Sequence, residues 1–204
     1  SYGMFKNVRT VIVLKGNKSD KEMQEKAGYY GEFLVLEVTA LGLGSCWVGG
    51  SYDKTCNVFN LKSNESLACV ITIGYVKKGA SVKEHLIRKV ARGGTKPLEH
   101  FIQYPNDENP QEWFFDAMEA VRKAPSAINK QNYKFEYMNG SVKAFTDQKY
   151  KYDMIDLGIA KAHFAIAAGG RFRMGNHGTY QPAKKVTRTP LPDYAGATVF
   201  NVNT

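Results

Sequence analysis

The chain has 204 residues, 43% of them hydrophobic and 23% charged, with a formal charge of +9, a globular composition without a low-complexity tract. That length holds one large domain or two small halves sharing a core, and no run reaches the roughly 18 apolar residues of a membrane span, because Glu32 and Glu37 interrupt the best candidate. Cys46, Cys56 and Cys69 lack C-x-x-C spacing and no signal-peptide pattern opens the chain, which points away from a membrane and toward a reducing, cytoplasmic setting.

The elements follow in chain order. RTVIVLKG, Arg9 to Gly16, is β-branched and apolar and predicts a strand. NKSDKEMQEKA reads as a polar connection or short helix. Gly28 to Leu41 predicts a helix with apolar residues on most faces, hence a buried one, stopped by Gly42 and Gly44. Asp53 can cap a short helix through Phe59. LACVITIGYV, Leu67 to Val76, is too continuous for an edge and predicts a central strand. SVKE, Ser81 to Glu84, is a capping box opening a basic helix that ends near Gly93. The cations from Lys77 to Lys96 suit a bounded anionic ligand or partner, or equally a solvated helix face.

PNDENP reads as a hinge between two halves. Asn109 as N-cap and Pro110 at the first helical position then predict a helix over Gln111 to Lys123, with Trp113, Ala117 and Val121 on one stripe. YKFEYM and SVKAF alternate around Asn139-Gly140, the signal of a type I′ hairpin. A small-residue helix over Asp153 to Ala168 ends at Gly169-Gly170. From Arg171 the chain reads as an irregular basic tail, with ATVFNV as a possible edge strand. Gly31 to Gly42 and Gly158 to Gly169 share one spacing, and Ala40 matches Ala167 at the same offset. A duplicated unit with two paired central helices would explain this, as would chance matches of small residues.

His85, His100, His163 and His177 have no metal-ligand spacing, and no G-x-S-x-G, P-loop or G-x-G-x-x-G is present. LGLGS follows a helix instead of a strand, so the dinucleotide-binding context fails. Two stretches remain. In GLGSCWVGG, missing Cβ atoms at Gly49 and Gly50 let a planar ligand approach backbone N–H groups, although a helix cap and tight turn would use glycine too. In APSAINKQ, Ser126 and Asn129 offer hydroxyl, amide and backbone groups past a helix end, although a polar closing loop would look the same.

Taken in order, GYYGEFLVLEVTALGLGSCWVGG, ACVITIGYV, RGGTKPLEHFI and AMEAVRKAPSAINKQNYKF resemble the nitroreductase superfamily of flavin enzymes. The arrangement looks like the subgroup in which one chain carries both halves of the usual dimer. The resemblance spans most of Ser1 to Gly170. It implies an α+β sandwich: a mostly antiparallel sheet flanked by helices around paired central helices, with FMN between the halves. The halves would be residues 1–104 and 105–170, with 171–204 as the tail.

The resemblance also implies a site. Trp47, Val48, Gly49 and Gly50 would bind the cofactor, with Gly49 and Gly50 by the flavin N5 and O4 edge. Pro125, Ser126, Ala127 and Asn129 would reach the same flavin from the other half, and Arg92 and Lys96 would lie near its phosphate. The implied activity is an FMN-dependent oxidoreductase using NAD(P)H to reduce nitroaromatics, quinones or similar small acceptors, with no metal and no acid–base constellation. Backbone N–H groups near N5 would orient the ring, and a cation near N1 would stabilise its reduced form. The chain would act as a pseudo-dimer, with a homodimer as a further option.

The R-x-S-x-R segment that normally opens the family, with its phosphate-holding cations, is not found. Because the sequence begins SYGMFK without Met, we expect an intact protein to supply that segment ahead of Ser1. Charge-assisted hydrogen bonds contribute roughly 1.5–3 kcal/mol each, so its cations matter to FMN affinity. Two other readings stay open. One is a flavin-free member of the fold with a binding or assembly role, its tail engaging a partner. The other, placed last, is nucleic-acid binding through Lys77 to Lys96, which lacks interleaved aromatics.

Overall fold

A computed structural model describes residues 10–50, 59–75, 94–104 and 109–183. The cap at Asp53, the basic helix after Ser81, most of the hinge, and ATVFNV lie outside the described residues.

Strand β1 (Thr10–Asn17) leads into helix α1 (Met23–Ala40), followed by β2 (Gly44–Val48) and β3 (Glu65–Gly74). The three strands form one antiparallel sheet in the order β1-β3-β2, so the continuous apolar segment is central, as its sequence predicts. A register shift between Leu14 and Lys15 marks a bulge in β1. Helix α1 starts earlier than Gly28. Asn17 and Asp20 side chains accept the Ser19 and Glu22 amides in the lead-in, and the Glu25 side chain is drawn into the core.

The expectation that α1 is buried on most faces is corrected. Gly28, Tyr29, Gly31, Glu32 and Val38 are buried, whereas Tyr30, Phe33, Leu34 and Leu36 are exposed. Only the side that meets the first sheet and the second central helix is covered.

After a short 3-10 turn at Leu98–His100 come β4 (Ile102–Gln103) and helix α2 (Glu112–Arg122). The residue that caps α2 is Gln111, in extended conformation, and not Asn109, so Pro110 lies ahead of the helix. Ala117 and Val121 are fully buried and Trp113 packs at the core's margin, which is the predicted stripe. The hairpin β5 (Lys134–Met138) and β6 (Ser141–Phe145) turns at Asn139 and Gly140, with φ of +51° and +75°. Two positive φ values are what a type I′ turn requires.

Helix α3 (Asp153–Ala168) ends at Gly169, which is left-handed at φ +70°. The chain then forms β7 (Gly170–Phe172) and β8 (Gly178–Pro182). These strands occupy the start of what the sequence reads as an irregular tail. The second sheet runs β4-β5-β6-β8-β7, parallel between β4 and β5 and antiparallel elsewhere.

The order β6-α3-β7-β8 repeats β1-α1-β2-β3, and the strand order β6-β8-β7 repeats β1-β3-β2. Gly42 and Gly169, matched by the sequence spacing, close the two helices at φ +74° and +70°. Helices α1 and α3 pack directly on each other. A Cβ on Gly28 would lie 2.0 Å from the Ile155 carbonyl oxygen, and one on Gly158 would lie 2.1 Å from the Glu25 carbonyl oxygen. Only glycine permits such backbone contact. Phe135 stacks on Phe164 at 5.3 Å between centroids, joining the second sheet to α3 in one core with Phe114 and Phe172.

Candidate functional site

The two stretches singled out by the sequence both reach the N-terminal turn of α3. Gly49 and Gly50 follow β2, and the Tyr152 hydroxyl donates to the Gly49 carbonyl at 2.6 Å. Tyr152 is the N-cap residue of α3. Four residues on, both carboxylate oxygens of Asp156 lie 3.0 Å from the Ala127 amide nitrogen, which donates to them. The start of α3 therefore carries a bond to each segment.

The glycine turn is used differently from what the sequence suggests. A Cβ on Gly49 would meet the Tyr152 ring at 2.7 Å, and one on Gly50 would lie 3.0 Å from its hydroxyl. The room left by the missing Cβ atoms thus holds a tyrosine of the same chain. The amide N–H groups of Gly49 and Gly50 have no hydrogen-bond acceptor among the described residues. Trp47 is committed to α1. Its Nε1–H donates to Glu32 at 3.2 Å, and its ring edge fills the space beside Gly31. Val48 is buried in the sheet opposite Val70. Neither side chain belongs to the exposed part of the turn.

The second segment is a tight loop. Ser126 Oγ accepts the Gln131 amide at 2.9 Å, and the Asn129 amide donates to the Ser126 carbonyl at 3.0 Å. Gln131 Nε2 donates to Asn129 Oδ1. Ile128, Asn129 and Gln131 have φ of +47°, +56° and +50°. Non-glycine residues enter that region only when their surroundings hold them there. Pro125 is exposed, as is Ile128. Because Ser126 Oγ accepts one bond, its hydroxyl proton remains able to donate.

Lys96 joins this loop. Its amide donates to Gln131 Oε1, its Nζ donates to the Lys130 carbonyl at 2.6 Å, and His100 Nε2 lies 3.1 Å away. Lys134 Nζ donates to the His100 carbonyl. Burial, and then Lys134, hold the Lys96 ammonium below its ordinary pKa. Burial, Lys134 and Lys96 also push His100 down, against the Gln131 carbonyl. Arg92 lies outside the described residues.

Three residues here escaped the sequence reading. Tyr152 and Asp156 tie the two segments to α3, and buried Glu32 orients Trp47 while its other oxygen meets His163 Nε2 at 2.9 Å. Asp156 carried only a weak signal, since Asp153, Lys161 and His163 stand in the same helix. Burial first, and then neighbouring Asp153, raise its pKa to about 7, against the opposing pull of the Ala127 amide and Lys130. Asp153 Oδ2 accepts from Asn132 and from the Tyr150 amide, while its Oδ1 is buried with no hydrogen-bond partner.

The polar groups that these two segments leave without an acceptor among the described residues include the Gly49 and Gly50 amides and the Ser126 hydroxyl.

Residues 1–168 match the family described as "Putative TM nitroreductase". A crystal structure from Thermotoga maritima MSB8, described as a "putative nitroreductase", is 23% identical and superposes with a TM-score of 0.59, covering 83% of this chain and 68% of that one. No curated protein matches the chain. At that identity the structural likeness speaks for the fold, and the family match carries the assignment: the chain belongs to the nitroreductase superfamily, in that family.

Proposed function

We propose that this chain is an FMN-dependent oxidoreductase that takes electrons from NAD(P)H and reduces small nitroaromatic, quinone or related acceptors. The observation that carries this reading is the attachment of both segments to one helix end: Gly49 through Tyr152, and Ala127 through Asp156. FMN, when bound, supplies hydride acceptance and passes the electron pair to the acceptor. The amides of Gly49 and Gly50 would orient one edge of the ring. Ser126 and Asn129 would meet it from the other side, with Lys96 and Arg92 toward the phosphate. Tyr152 holds the glycine turn by its carbonyl, which fixes the direction of the amides beside it. The repeated β-α-β-β order supports the two halves acting as a pseudo-dimer.

The test is an absorbance titration of the purified chain with FMN, followed by NAD(P)H oxidation in the presence of a nitroaromatic. A bound-flavin spectrum near one equivalent, and turnover that depends on FMN, are expected. A spectrum identical to free FMN would remove the reading.

One observation favours a second reading, a flavin-free member with a binding or assembly role. Tyr152 fills the space beside Gly49 and Gly50, and the 126–131 loop spends most of its polar groups on itself. The same titration separates the two: a chain that folds, assembles and ignores FMN fits only the second.

A further inference from the structure

Asp156 lies one turn inside α3 and is 2% exposed. Its carboxyl group faces the Ala127 amide with both oxygens. The helix does not need it as a cap, since Tyr152 holds that position and the Asp156 amide already donates to the Tyr152 carbonyl. The loop on the other side of this contact is wound through three left-handed non-glycine residues and closed on itself by Ser126. Its bond from Ala127 to Asp156 ties it to the helix that also holds Gly49. A carboxyl group desolvated at that point is costly to the fold unless it is doing something for the loop.

We propose that Asp156 is the positioning residue of the Pro125–Asn129 loop: its carboxyl group holds the Ala127 amide and so sets where Ser126 and Asn129 present their polar groups. The hold depends on charge. An ionised carboxylate accepts a charge-assisted bond, whereas a protonated one offers a weaker, neutral acceptor. The groups facing Asp156 are Asp153 on its own helix, Lys130 on the loop, Cys69 on β3 and Tyr133 just before β5. Burial, with Asp156's own charge second, pushes both the Cys69 thiol and the Tyr133 hydroxyl up, so they stay neutral while Asp156 titrates. Asp156 itself changes charge at about 7. The grip on the loop therefore tightens as pH rises through that value. The effect on flavin rests on the function proposed above; the effect on the loop does not.

The experiment has two readouts on the full chain. The first follows the Ala127 amide by NMR without FMN, from about pH 5.5 to about pH 8.5, a range that brackets a carboxyl raised by burial. In the unmodified chain the amide is expected to move downfield with the same midpoint as the Asp156 carboxyl carbon, and in Asp156→Asn it is expected not to titrate. The second follows FMN fluorescence quenching. Asp156→Asn is expected to weaken FMN about tenfold near pH 8 and less than about twofold near pH 5.5, because only the ionised carboxylate adds a charge-assisted bond.

An Ala127 amide that stays flat, or that still titrates in Asp156→Asn, overturns the proposal. An amide that behaves as expected in a chain that binds no FMN at any pH upholds the positioning role and removes the flavin reading. Should Asp156→Asn fail to fold, the matching midpoints in the unmodified chain decide the matter alone.

Discussion

Tyr152, Asp153 and Asp156 each bind a different stretch of chain, so small changes there have distinct consequences. Tyr152→Phe keeps the ring against Gly49 and removes only the donor to its carbonyl. The expected loss is about 1 kcal/mol in urea denaturation, the net worth of one hydrogen bond, with weaker FMN binding because the turn is freed. Asp156 gives a pH signature. Its carboxyl is raised from 3.8 to about 7 on folding, chiefly by burial. The folded chain therefore holds a proton that the unfolded chain has lost between those values. That contribution is fully present below about pH 4 and disappears as pH rises to about 7, on the order of 4 kcal/mol at most. Asp156→Asn should flatten that part of the stability–pH curve; an unchanged slope would show that Asp156 is not the titrating group.

At this scale the sequence is legible only in part. Gly49, Gly50, Ser126 and Ala127 draw notice through a glycine pair and small residues past a helix end, features that a tight turn or a closing loop shares. Their anchors do not, because a tyrosine and an aspartate at a helix start look like ordinary first-turn residues. What makes them anchors is a contact about a hundred residues away for Tyr152, which no local pattern encodes.

Among elements, the packing of α1 on α3 joins the first β-α-β-β unit to the second. Its contacts are backbone to backbone at Gly28 and Gly158. Gly28→Ala or Gly158→Ala forces a methyl group into a carbonyl oxygen, and overpacking of this kind costs about 3 kcal/mol or more. Gly74→Ala is the control, since among the described residues nothing beyond its chain neighbours lies within 4 Å of a Cβ built there. Thermal melts should show a clear fall for the first two and almost none for the third; equal melting temperatures would mean that the helices are not packed this closely. The Asp153–Ala168 helix and the Asn139-Gly140 hairpin were readable because small-residue content, a glycine stop and turn chemistry are local. Strands β7 and β8 were not. They are short, and the turn between them is held by tertiary bonds: the Gly175 amide to Glu25, and Lys161 to the Gly175 carbonyl.

Across the whole molecule, those bonds belong to a buried ion pair. Lys161 Nζ lies 2.5 Å from Glu25 Oε1, and both side chains are fully buried. Burial pulls the Lys161 ammonium below its ordinary pKa, while Glu25 acts in the opposite direction. The pair links α1, α3 and the β7–β8 turn, so it bridges the two repeated units. Glu25→Gln strands a buried cation and is expected to destabilise by roughly 3–5 kcal/mol, read as a lower midpoint in guanidinium. A loss within about 0.5 kcal/mol, the usual range for exposed substitutions, would show that the pair does not bridge the halves. Among the described residues no helix is long and apolar enough to cross a membrane. The repeat of β-α-β-β was only hinted at by the shared glycine spacing, because the two units share connectivity and little else in sequence.

Under the proposed function, the Gly49–Gly50 turn and the Pro125–Asn129 loop meet one flavin. Amide chemical-shift mapping of the full chain during FMN addition tests it most directly. The amides of Gly49, Gly50, Ser126 and Ala127 are expected to move together along one saturating curve. Saturable FMN binding that leaves those four amides unmoved, or no binding at all, would contradict it.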